Sequence, residues 1–98
     1  MNVIADIAII PIGVGVSLSK YVAACEHTFK DSGLEPQLHA NGTNVEGEWE
    51  IVLGAIKRCH EVLHEMGVQR IATNVRLSTR IDKTQTMADK INSVESKL

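Results

Sequence analysis

The fold turns on Glu35 to Trp49, "EPQLHANGTNVEGEW". "EPQLHA" reads as a short strand and "TNVE" as its continuation. Asn41-Gly42 lies between them and is the strongest short-range hairpin signal, because both residues tolerate φ > 0. Two strands joined this tightly must be antiparallel neighbours.

Upstream, Leu18, Val22, Cys25 and Phe29 recur at helical spacing, and Gly33 closes the run. Ser17 is placed to cap that helix. Before it stand the turn "IGVGVS" and the β-branched run "VIADIAIIP", Val3 to Pro11, which reads as a strand stopped by its proline. Downstream, Trp49, Val52, Leu53, Ile56, Cys59 or His60, and Leu63 mark a second helix between Glu48 and Met66, closed by Gly67. "RIATNVRLS", Arg70 to Ser78, alternates as a strand does. After the polar loop "STRIDKTQ", Met87, Ile91, Val94 and Leu98 form a third helical stripe.

The order is strand-helix-strand twice, with the hairpin as hinge, and a last helix. That is the ferredoxin-like βαββαβ pattern of the α+β class: a four-stranded antiparallel sheet with both crossover helices on one face, plus a C-terminal helix. The 98 residues suffice for one such domain, residues 1–98, with one core. Hydrophobic residues make up 44% but aromatics only 3%, so the core is aliphatic. A net charge of −2 without a basic run argues against nucleic acid as a partner. Cys25 and Cys59 have no metal or redox spacing and read as small core residues of a reduced compartment. The apolar start, Val3 to Val16, lacks a basic flank and is interrupted by Asp6 and Pro11. It is neither a secretion signal nor a membrane span, so the expected location is cytoplasmic.

On the first strand Val3, Ala5, Ile7 and Ile9 can face the helices, which leaves Ile4, Asp6, Ala8 and Ile10 on the other face. A sheet face carrying Ile4, Ala8 and Ile10 should not meet water. The third helix can cover part of it, and a second subunit is the natural cover for the rest. The first and last strands are antiparallel neighbours in this fold, so Asp6, Asn74 and Arg76 should lie close together on that face. They form either a ligand site or an Asp6–Arg76 pair buried in an interface.

Two motifs invite catalysis. His60-Glu61-x-x-His64 has the spacing of a helical zinc site with a glutamate base. A third ligand would have to be Glu65, Asp82, Asp89, Glu95, His27 or His39, none at a recognisable spacing, and His60 lies beside the core stripe. No metal is therefore expected, and a zinc hydrolase is the alternative reading. Gly13-Val14-Gly15 sits between strand and helix, where phosphates bind, but Leu18 stands where a third glycine belongs. A turn into a capped helix is the simpler account, with a weak anion site at Ser17 to Ser19 as the other.

The segments "DIAIIPIGVGVSLSKYVA", "HANGTNVEGEWEIVLGAIKRCHE" and "VRLSTRIDKTQTMADKI" together resemble the small thiamine-binding protein family of ferredoxin-like fold. The Pro-Ile-Gly turn, the Gly-Thr-x-x-Glu-Gly stretch and the late Arg-x-Asp-Lys carry the likeness, which spans nearly the whole chain. The resemblance implies a homotetramer or dimer of dimers. It implies a thiamine-type or hydroxymethylpyrimidine-type ligand held where subunits meet, no known catalysis and no cofactor. It places Thr43 and Glu46 in the family signature and Asp6 in the first-strand position. The chemistry agrees: a thiazolium is a fixed cation that wants a carboxylate, such as Asp6 or Glu46, and an aminopyrimidine wants paired donors and acceptors, such as Asn74. Aromatic rings for stacking are scarce; only Tyr21, Phe29 and Trp49 exist. A structural oligomer whose polar interface holds no ligand is the third reading.

Overall fold

The computed structural model describes all 98 residues. The elements follow the order β1 (Asn2–Ile12), α1 (Ser19–Asp31), β2 (Gln37–His39), β3 (Gly42–Glu48), α2 (Trp49–Glu65), β4 (Arg70–Ser78) and α3 (Met87–Glu95). The sheet is fully antiparallel in the order β2-β3-β1-β4. This is the ferredoxin-like arrangement with an added terminal helix. No helix is long and apolar enough to cross a membrane.

Strand alternation builds the core. Val3, Ala5 and Ile7 of β1 and Val45 of β3 are buried against Tyr21, Cys25 and Phe29 of α1 and against Val52, Ala55, Ile56, Cys59 and Leu63 of α2. Both cysteines are buried and free of a disulfide, and the Cys59 thiol donates to the Cys25 carbonyl at 3.7 Å. The two helices end alike. Gly33 and Gly67 take positive φ, and the following residues, Leu34 and Val68, donate back to the carbonyls of Phe29 and Leu63. All four of these apolar residues are buried, so each helix end is closed by hydrogen bonds and packing together.

Several local expectations are corrected. Pro11 does not stop β1, which pairs with β4 as far as Ile12. The β3 ladder has already ended at Ile7, so Pro11 sits where β1 is paired on one side only, and a missing N–H is tolerated there. Ser17 does not cap α1; Leu18 occupies the cap position, without a side-chain bond. The hairpin loop is Ala40-Asn41 rather than Asn41-Gly42, since His39 pairs with Gly42, and none of these residues has positive φ. Gly42 is needed for room instead. A Cβ there would meet the carbonyl oxygen of Ile7 at 2.7 Å.

The C-terminal helix covers less than its stripe suggests. α3 buries Met87, while Ile91, Val94 and Leu98 stay exposed. It packs only slightly against any other element. The Cα radius of gyration is 14.5 Å, against roughly 12.5 Å for a compact domain of this length. A helix standing off the body accounts for the difference.

Candidate functional site

Residues directly opposite in an antiparallel ladder share a face. Asp6 lies opposite Asn44 on β3 and Arg76 on β4, and Asn44 lies opposite Gln37 on β2. One polar row therefore crosses all four strands on the side away from α1 and α2. Glu46, Ile4 and Ser78 form the next row, and Ala8 with Asn74 the row on the other side. Thus Asp6, Glu46, Asn74 and Arg76 share the open face. Thr43 does not. It is buried on the helix side, where its hydroxyl donates to Glu26 Oε1 at 3.0 Å; the second carboxylate oxygen of Glu26 is buried without a partner.

Asp6 and Arg76 face each other but do not pair, contrary to one expectation above. Asp6 is held by His39 instead, whose Nε2–H donates to Oδ1 at 2.7 Å. The Asn41 backbone N–H donates to the other ring nitrogen, Nδ1, at 3.3 Å. The ring thus accepts at one nitrogen and donates at the other. Arg76 has no ion-pair partner. His39 was not singled out from the sequence as an open-face residue. Strand parity carries that information, since any two-residue loop at Ala40 to Gly42 puts His39 on the face of Asn44.

Glu46 sits at the rim. Its Oε2 accepts the backbone N–H of Met87, the first residue of α3, at 2.8 Å. A carboxylate at a helix N-terminus is favourable, because the first N–H groups lack partners and carry partial positive charge. Thr86 and Asp89 complete a capping box at the same end. Those bonds from Thr86 hold the Asp89 carboxyl below its ordinary pKa.

Glu46, Glu48 and the first residues of β1 form one wall of an open cleft of about 1180 Å³; the chain from Ser78 to Thr86, with Lys90, forms the other. The loop wall is held by Arg80, which donates to both Asp82 oxygens at 2.6 and 2.5 Å and to Gln85 at 2.8 Å. The guanidinium lowers the Asp82 pKa to about 2. Arg80 to Lys83 is the Arg-x-Asp-Lys mark noted in the sequence. A shallower hollow of about 440 Å³ lies over Asp6, Ala8, Asn74 and Arg76.

The His-Glu-x-x-His helix is used structurally. His60 Nε2 is hydrogen-bonded to Thr73 of β4 at 2.5 Å. His64 donates from Nδ1 to the Val68 carbonyl at 2.7 Å, helping to close the α2 turn. The ring centroids are 6.4 Å apart. Nowhere do three His, Cys, Asp or Glu side chains converge as a metal-ligand group.

Burial pushes the His60 imidazole below its usual pKa, and the neighbouring His64 acts in the same direction. A base whose folded pKa is depressed favours folding while neutral. Its contribution is complete above the unfolded value near 6.5 and shrinks as pH falls through the window below it. Urea melts between pH 7 and pH 5 should show falling stability, with a smaller fall in His60→Asn. Equal slopes in the two proteins would reject this.

Against known proteins, the family model described as "Thiamine-binding protein" matches residues 5–95. The chain belongs to the thiamine-binding protein family. Its relatives include a UPF0045 protein of Synechocystis, 49% identical over 96 residues, covering 98% of this chain and 79% of that protein. A UPF0045 protein of Eremothecium gossypii is 41% identical over 99 residues, covering all of this chain and 94% of the other. Among solved structures, a hypothetical protein of Methanocaldococcus jannaschii superposes with a TM-score of 0.89 at 33% identity, over 96% of both chains. A Thermotoga maritima protein named for thiamine biosynthesis or salvage superposes with a TM-score of 0.80 at 18% identity, over 96% of this chain and 99% of that one. The matched residues take in β1, β3 with Glu46, and the Arg80 loop.

Proposed function

We propose that this member of the thiamine-binding family is a non-enzymatic cytoplasmic binding protein. Its ligand is thiamine or a thiamine-related pyrimidine, and it serves uptake, salvage or sensing. The observation that carries this reading is the Glu46 carboxylate on a central strand. One oxygen is fixed by the α3 N-terminus, and the carboxylate opens on the cleft. In that position it is oriented before any ligand arrives, which lowers the cost of binding a cation. Asp6, fixed by His39, supplies the second negative charge on the same face. Asn74 and Arg76 supply hydrogen-bond groups for a pyrimidine edge. Thr43, buried on the helix side and bonded to Glu26, does not belong to this site. Calorimetry with thiamine and with hydroxymethylpyrimidine is the test: saturable binding of thiamine supports the proposal, and no heat with either compound rejects it.

The site is proposed to lie where subunits of a homotetramer or dimer of dimers meet. Support comes from exposed apolar surface: Ile10 on the open face, Ile91 and Val94 along α3, and Leu98 beyond its end. Apolar area of this kind favours association roughly in proportion to what is buried. Light scattering at micromolar concentration should give four chain masses; a stable monomer would reject the assembly.

A further inference from the structure

We infer, building on the reading above, that the cleft between Glu46 and the Arg80 loop takes a zwitterionic ligand, in which a cationic ring is joined through a short arm to a phosphate. The unpaired charges around the cleft are of both signs. Asp82 is neutralised by Arg80, and Glu48 by the Met1 ammonium at 3.1 Å. Glu46 keeps the oxygen that does not bind α3. On the loop and α3 side, Lys83 and Lys90 line the same cleft and have neither an ion-pair nor a side-chain hydrogen-bond partner. Lys90 lies three residues after Met87 on α3, about 4.5 Å along the axis. Since Met87 is bonded to Glu46, the carboxylate and the lysine both stand at the N-terminal end of α3, in the lining of one cleft.

A flexible lysine is a compact point cation suited to a phosphate oxygen, whereas the guanidinium in this cleft is already committed to its own loop. Ser78, Thr79 and Thr84 add hydroxyls to the same lining. The loop carries its own fastening, so this wall is shaped in advance. A free alcohol in place of the phosphate would leave both lysines unused. A phosphate without the ring would leave Glu46 unused.

The test is calorimetry on the full chain with three probes: thiamine, thiamine monophosphate and pyrophosphate. At low salt the monophosphate should bind about tenfold or more tighter than thiamine, and added salt should erode that advantage. The double variant Lys83→Ala/Lys90→Ala should lose the advantage and keep its affinity for thiamine. Pyrophosphate alone should bind weakly to the unaltered protein and not to the variant. Equal affinities for thiamine and its monophosphate, or a preference that survives the double substitution, would overturn the inference and leave the thiamine reading intact. Lysine-dependent pyrophosphate binding without thiamine binding would reject the thiamine reading and keep the anion site. Loss of neither compound in the variant would refute the lysines' role outright.

Discussion

Thiamine affinity is expected to fall about thirty-fold in Glu46→Gln. Glutamine keeps the shape, and its carbonyl oxygen can still accept the Met87 N–H, so α3 stays anchored while the negative charge is lost. Truncating one partner of a charge pair in a dry interface costs on the order of 2 kcal/mol or more, which is roughly that factor. The uncharged pyrimidine half should lose much less, because it never used the charge. Glu46→Ala differs in kind: it removes charge and anchor together, so α3 should loosen as well. Circular dichroism and light scattering separate the two variants before any ligand is added. A folded Glu46→Gln protein with unaltered size and unaltered thiamine affinity would mean that Glu46 serves the helix alone.

The second large effect is expected at Gly42. Alanine there sets a methyl 2.7 Å from the Ile7 carbonyl oxygen and 3.2 Å from Cε1 of His39. The oxygen belongs to the backbone of the neighbouring central strand, so it cannot swing aside as a side chain would. Overpacking of this sort typically costs about 1–3 kcal/mol, a large part of the margin of a domain this small, roughly 5–10 kcal/mol. The histidine end of the contact is softer and should yield first. Its movement would break the bond to Asp6 and alter the open face. Gly42→Ala should therefore lower the urea midpoint and weaken ligand binding through displaced His39. Retention of both wild-type values would show that the sheet absorbs the methyl and that the signature glycine is not a steric requirement.

The sheet order and the core were legible because both rest on periodicity. Alternation along Val3 to Ile9 and the 3.6-residue stripe from Val52 to Leu63 report burial directly, whatever the local turn chemistry. What went unread depends on contacts between distant residues. Pro11 looked like a terminator because nothing local says that β3 stops at Ile7. The glycine of Asn41-Gly42 was read as a turn residue, although its requirement comes from a strand thirty-five positions away. At the site, strand parity places Asp6, Asn74 and Arg76 together, whereas Glu46 enters only through the family resemblance. The bonds that define them, His39 to Asp6 and Glu46 to Met87, join positions 33 and 41 residues apart. Thr43 was grouped with Glu46 by motif, yet an odd spacing of three along a strand puts them on opposite faces.

That odd spacing has a consequence for how the gene can change. β3 works as two interleaved texts: Thr43, Val45 and Gly47 are read by the helices, and Asn44, Glu46 and Glu48 by the open face. Substitutions alter one letter of one text. A single-codon insertion or deletion within the strand would exchange the two, turning Glu46 toward the core and Val45 into water. A point change on this strand is thus felt on one face, whereas a change in length is felt on both. In Gly42 to Gly47 the spacing matters as much as the residues it separates.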